Sequence, residues 1–191
     1  MTRNELLTAV RSYSNRPTFP ENDFDILLRI VEGYLNKELR DHPRNIKSNT
    51  VTLSDNSGII PLPDDLSQLI TVSDDDGIYD QFSPALVPAD DERGFIQRGM
   101  KLQLYPNPGA GARIYLYYHS YLTPLMAVTS NWVSTYHADV YLYGCLIEVA
   151  IFVKDDVHLQ TWREEFLRRL DVLKAQGWNQ NIASAPRILS R

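Results

Sequence analysis

Residues 132–176 read WVSTYHADVYLYGCLIEVAIFVKDDVHLQTWREEFLRRLDVLKAQ, and the spacing of apolar residues in this stretch decides the fold. Val140 to Val153 is apolar almost throughout. Val140, Leu142, Leu146, Ile147, Val149, Ala150, Ile151 and Val153 leave no wide polar face, so the run predicts a central helix. Asp139 or Thr135 is placed to cap it. Lys154-Asp155-Asp156 breaks the run. From Val157 to Lys174 the period is again helical, with Leu159, Trp162, Phe166, Leu170 and Leu173 on one stripe. Glu164/Arg168 and Glu165/Arg169 are i,i+4 pairs with the acid first, each worth about 0.2–0.5 kcal/mol. Gly177 is the expected stop.

Upstream, two amphipathic helices are predicted. The first spans about Asn4 to Ser14, with Leu6, Leu7, Val10 and Tyr13 on one face and Thr2-x-x-Glu5 as a capping box. The second spans about Pro20 to Arg40, with Phe24, Leu27, Leu28, Val31, Leu35 and Leu39 as its stripe. Thr18-x-x-Glu21 and Pro20 mark its start, and Asp41-His42-Pro43 stops it. The two read as a helical hairpin.

Between Ser48 and Tyr121 the period alternates and turn signals recur. Strands are expected around Val51-Leu53, Ile59 to Pro63, Leu66 to Val72, Phe95-Ile96 and Lys101 to Tyr105. Ile78 to Val87 is ambiguous. Pro106 to Gly111 is a turn, and Arg113 to Tyr121 is the clearest strand. Ile114, Leu116 and Tyr118 face one way and Tyr115, Tyr117 and His119 the other. A strand this aromatic on both faces is expected to be covered on both.

The sequence-level fold is therefore α+β: a helical bundle of an N-terminal helix pair (1–47) and a C-terminal helix pair (122–176), with an inserted, mostly antiparallel β region (48–121). Together they read as one compact domain with a tail at 177–191. That tail lacks a period, yet it carries Trp178, Ile182, Pro186, Ile188 and Leu189. It is either a disordered end or a segment that orders on a partner.

The 191 residues, 43% hydrophobic and 23% charged, suffice for a core of ordinary density. A net charge of −5 argues against a protein that grips nucleic acid, because phosphate binding needs a basic face. The same charge suits a surface past which DNA slides. Cys145 is the sole cysteine, so no internal disulfide forms, and its apolar neighbours make it a buried small hydrophobe. The start of the chain has no signal-peptide pattern, and no apolar run reaches membrane-spanning length. A reducing cytoplasm is the expected place of synthesis.

No constellation of residues makes an active site. His137-x-Asp139 with Glu148 and His158 lacks the three- or four-residue spacing of ligands on one helix face, so neither metal nor cofactor is expected. Asp74-Asp75-Asp76-Gly77 lacks the remainder of a calcium loop and reads as a solvated turn. Ser130 and Ser134 have no triad partners. Gly109-Ala110-Gly111 leads into a strand, so it is no phosphate cradle. Tyr115 to Tyr121 lack interleaved cations, which favours packing or an interface over base stacking. Glu148 lies in an apolar helix and must either pair with an Arg or Lys or face a neighbouring subunit. Pairing is the simpler reading of the residues. Two other classes stay open to the residues alone: a small, metal-dependent or other, hydrolase using His137, Asp139 or His158, and a binding module with the tyrosines as its contact face.

From Gly99 to Ala175 an ordered set of residues carries a resemblance. It comprises Leu102-x-Leu104-Tyr105-Pro106-x-Pro108-Gly109, Ile114-x-Leu116-x-Tyr118, Leu122-Thr123, Trp132, Asp139-x-x-Leu142-Tyr143-x-x-Leu146, Glu148-x-Ala150, Asp155-Asp156 and Trp162. With the N-terminal helices (Leu6 to Leu39) and Ile60-Pro61-Leu62-Pro63-Asp64-Asp65, it resembles the head-to-tail adaptor (connector, head-completion) proteins of tailed bacteriophages. Thr71 to Arg98 departs from the pattern. The resemblance implies a structural, non-enzymatic virion protein at the portal vertex or neck, made in the bacterial host cytoplasm. It implies a ring, usually a dodecamer, with helices forming the body and the β region toward the tail. It also implies a portal protein and a tail or nozzle protein as partners, and DNA passing through the lumen without sequence-specific binding. On that view the tail residues Trp178, Ile182, Pro186, Ile188 and Leu189 dock on the portal. Glu148, Tyr115 and Tyr117 are then candidates for subunit contacts.

Overall fold

The computed structural model describes residues 1–85 and 92–184, with side chains described through residue 177. Its helices are α1 (Arg3–Tyr13), α2 (Glu21–Glu38), α3 (Trp132–Tyr136), α4 (Ala138–Val153) and α5 (Asp156–Ser184). Its strands are β1 (Ile46–Thr52), β2 (Ile59–Pro61), β3 (Leu66–Ser73), β4 (Ile78–Gln81), β5 (Gly94–Arg98), β6 (Lys101–Tyr105) and β7 (Arg113–Ser120). The class is α+β. The chain divides into two compact units: Met1–Arg44 with Leu122–Arg191, which holds the helices, and Asn45–Tyr121, which holds the strands.

In the helical unit, α4 is the hub, packing on α1, α2, α3 and α5. Its Tyr141, Cys145, Leu146 and Val149 share one core with Leu6 and Val10 of α1, Phe24, Leu28 and Leu35 of α2, and Phe166, Leu170 and Leu173 of α5. Each such large apolar side chain contributes about 1.5–3 kcal/mol on burial. The expected hairpin of the first two helices takes a different form. α1 and α2 each rest on α4 more than on one another, and Arg3 ties them by ion pairs to Glu21 and Asp25, both at 2.6 Å.

Local signals explain some helix ends and fail at others. The capping box forms at α1: Glu5 N–H donates to the Thr2 hydroxyl and Thr2 N–H donates to the Glu5 carboxylate. The Thr18–Glu21 box does not form, because the Glu21 carboxylate is taken by Arg3; α2 starts after Pro20 without a side-chain cap. Asp139 does not cap α4 either, and its carboxylate pairs with Arg169 of α5 at 2.9 Å. Lys154, in the left-handed conformation at φ 58°, ends α4 within the acidic break.

Three expectations for this unit are corrected. The last turn of α4 is not enclosed: Ile151 is 50% and Phe152 54% exposed. Glu164 and Arg168 do not pair; Glu164 accepts from Gln160, and Arg168 joins Arg169 on Glu165. Gly177 does not stop the last helix, which continues to Ser184. Gly177 is there for space: a Cβ on it would meet the ring of His42.

The β unit is one seven-stranded sheet in the order β1-β7-β3-β4-β5-β6-β2. Every pairing is antiparallel except β4 with β5. The strands at the two ends of this order, β1 and β2, are consecutive in the chain, so the segment between them must join the sheet's ends. It does so by backbone bonds: Leu53 N–H donates to Ala112, Gly111 N–H to Leu53, and Leu104 N–H to Gly58. The sheet thereby curls round a core of Leu53, Ile60, Val72, Phe95, Leu102, Leu104, Ile114 and Leu116. The start of the ambiguous segment forms β4, whose Tyr79 is buried and donates to Asp74 at 2.6 Å, while Leu86 and Val87 lie outside the described residues.

Candidate interaction surfaces

The proposed chemistry residues do not converge. His137 lies between α3 and α4, edge-on to Trp132. Asp139 is held by Arg169. His158 binds Asp155 at 3.0 Å and stacks on Trp162. Among the described residues no group of three or more His, Cys, Asp or Glu is placed to hold a metal. Cys145 is enclosed, and burial pushes its thiol pKa far up. Asp74 is more than a solvated turn residue. Its carboxylate accepts from the N–H groups of Asp76 and Gly77, from Tyr79 and from Arg93. Burial works to raise its pKa, and these partners outweigh it, holding the carboxyl below its usual value.

Glu148 falls in a groove of about 330 Å³ lined by Val31 and Tyr34 of α2, Gly144, Ile147 and Ile151 of α4, and Arg163, Phe166 and Leu167 of α5. Gly144 allows the three helices to close on this floor, since a Cβ there would lie 2.8 Å from Val31 and 3.2 Å from Phe166. The expected ion pair is not made. Among the described residues Glu148 has no hydrogen bond or ion pair, and desolvation alone raises its pKa. Arg163 lines the same groove without forming an ion pair with it.

The two tyrosines lie on the outer side of β7. Tyr117 is 46% exposed, which corrects the expectation that both faces of this strand are covered. Tyr115 donates to Asp75 at 2.8 Å, and Arg113 lies 3.7 Å from the same carboxylate. Of the five tail residues, Trp178 and Ile182 fall on the backbone of α5, with side chains outside the described set. Pro186, Ile188 and Leu189 lie outside the described residues altogether.

Two features escape the sequence reading. The first is a buried polar network. Glu32 and Asn36, one turn apart on α2, accept the N–H groups of Leu125 and Leu122, each at 2.7 Å. Tyr141 donates to Glu32 at 3.4 Å and accepts from Asn131 at 2.7 Å. Burial raises the pKa of Glu32, with Leu125 and Tyr141 opposing. The i,i+4 spacing of Glu32 and Asn36 beside the apolar stripe is the signal that points to it. The second is a ring cluster. His42 stacks on Trp132 at 4.6 Å, and the Arg44 guanidinium lies 5.7 Å from the Trp132 ring and 4.5 Å from that of Tyr136. Tyr136 is 65% exposed.

Among the described residues no helix is long and apolar enough to cross a membrane. No curated protein matches the chain. A core-forming helix hub and a curled β insertion accompany a match to the family model described as SU10 adaptor protein over residues 1–188, and the chain belongs to that family of phage adaptor proteins.

Proposed function

We propose that this protein is a structural, non-enzymatic subunit of a ring, a dodecamer, that joins the portal to the tail in the virion neck and lets DNA pass through its lumen. The observation that carries the reading is the family match over nearly the whole chain. In this reading the N-terminal and C-terminal helix pairs form the bundle that builds the ring body, and the β unit meets the tail or nozzle protein. The net charge of −5 suits a channel that repels DNA. Glu148, unpaired in its groove, marks one contact between subunits. Tyr115 and Tyr117 offer a second from the β unit. The tail with Trp178, Ile182, Pro186, Ile188 and Leu189 docks on the portal.

Electron microscopy of the purified protein mixed with the portal of the same phage tests the proposal. A ring capping the portal, with one open channel, is expected. A portal that stays bare, together with full particles that lack the protein by mass spectrometry, would overturn it.

A further inference from the structure

We propose that the Glu148 groove is filled by the Arg44–Tyr136 pair of the next copy of this chain. The inference rests on the ring reading, and it names the two patches that meet. A closed ring of more than two copies needs a head-to-tail contact, in which one patch meets a different, complementary patch. The groove supplies the first. It is apolar, open to solvent and floored by Gly144. Its one carboxylate has no partner among the described residues. α2 brings Val31 and Tyr34 to it, and α5 brings Phe166, Leu167 and Arg163, which makes no ion pair with Glu148. A carboxylate held against apolar walls favours an incoming cation, and the walls favour an aromatic ring.

The complementary patch must therefore combine the two. Among the described residues four arginines lie over aromatic rings: Arg3 on Phe24, Arg44 on both Trp132 and Tyr136, Arg93 on Tyr79, and Arg169 on Tyr143. Only Arg44 and Tyr136 are both exposed. The other arginines in these pairs are committed to carboxylates: Arg3 to Glu21 and Asp25, Arg93 to Asp74, and Arg169 to Asp139 and Glu165. Arg44 has no such partner among the described residues. It is held in place by two rings, so little side-chain freedom is lost when it meets a carboxylate. Arginine and tyrosine are also the residue types that dominate interface energetics.

A charge-reversal cycle on the full chain, assembled on its portal, tests this. Ring yield is counted by electron microscopy, and the folding of each variant is checked by circular dichroism and melting. Arg44→Glu, Glu148→Arg and Tyr136→Ala are each expected to lower ring yield by about tenfold or more, the range for losing one partner of a buried charged contact or an aromatic anchor. The double variant Arg44→Glu/Glu148→Arg is expected to recover yield to within about threefold of the unaltered chain, because the pair is restored with reversed sign. Arg44 and Tyr136 are exposed, so their variants report assembly even if Glu148→Arg fails to fold. Unchanged assembly by Arg44→Glu and Tyr136→Ala, or a folded double variant no better than the single ones, overturns the pairing while leaving the ring intact. Absence of rings from the unaltered chain overturns the ring reading, and this inference with it.

Discussion

Gly177 lies so close to His42 that a Cβ on it would sit 2.5 Å from the ring's Cδ2 and 2.8 Å from its Nε2. His42 cannot easily retreat, because its ring is buried and stacked on Trp132. The glycine thus stands inside α5 for a packing reason that outweighs its poor helix propensity.

Gly177→Ala is accordingly expected to destabilise the protein, although alanine gains about 1 kcal/mol of helix propensity over glycine. Overpacking costs about 1–3 kcal/mol, and the rigid, buried His42 ring puts this site at the upper end, so the net loss should reach up to about 2 kcal/mol in chemical denaturation. Adding His42→Ala should make the alanine at 177 neutral or favourable. A more stable Gly177→Ala single variant would contradict this packing account.

Glu32→Ala should cost about 2–4 kcal/mol, since it leaves the Leu125 N–H and the Tyr141 hydroxyl without their acceptor in a buried place. Glu32→Gln keeps an acceptor for both and should cost less. Urea unfolding of the two variants side by side measures the difference, and equal losses would show that the carboxylate's charge, rather than its bonds, matters.

Glu148→Leu is expected to stabilise the isolated subunit by about 1 kcal/mol, the scale of removing one unfavourable surface feature, or about 2–4 °C in melting temperature. The pH dependence has a definite sign. A carboxyl whose folded pKa exceeds its unfolded one binds more protons when folded, so stability falls as pH rises between the two values. Both Glu148 and Glu32 are raised by burial. These two groups therefore take stability away as pH climbs upward from the normal glutamate range, while His42 and His137, whose pKa values burial lowers, add it as pH rises toward the normal histidine value. Relative to the unaltered chain, Glu148→Leu should gain stability with rising pH. Melting profiles that run parallel in the two proteins across this range would remove Glu148 from the account.

Truncation separates docking from folding only if it is made after Ser184. A chain ending there keeps all of α5 and should melt like the full protein while losing portal affinity. A chain ending at Gln176 removes the residue that packs on His42 and should lose about 1–3 kcal/mol. Unchanged portal binding by the chain ending at Ser184 would place docking elsewhere than in Pro186, Ile188 and Leu189.

Much of this architecture is legible in the residues. The stripes of α1, α2 and α5, the break at Lys154 and the turn from Pro106 to Gly111 all show in spacing and turn chemistry. What escapes is whatever depends on a partner distant in sequence. Gly177 reads as a stop until His42 is seen against it. Glu148 reads as half of an ion pair because a carboxylate among apolar residues demands one. Only the packing of α2 and α5 shows that, among the described residues, Glu148 forms no ion pair although Arg163 lines the same groove. Tyr117 looks covered by composition, yet it is 46% exposed. α3, only Trp132–Tyr136, is too short to show a period and is set instead by the Asn131–Ser134 capping box.

The β insertion begins and ends on neighbouring strands. Ile46 of β1 stands opposite His119 of β7, and the Ser120 hydroxyl donates to the Asn45 carbonyl at 3.1 Å. A segment whose ends are zipped together asks no more of its host than a short loop does. The helical core can therefore keep its connectivity while residues 45–121 are exchanged for another fold with paired ends. A lineage of such proteins is free to rework its β unit without rebuilding the helices that carry it.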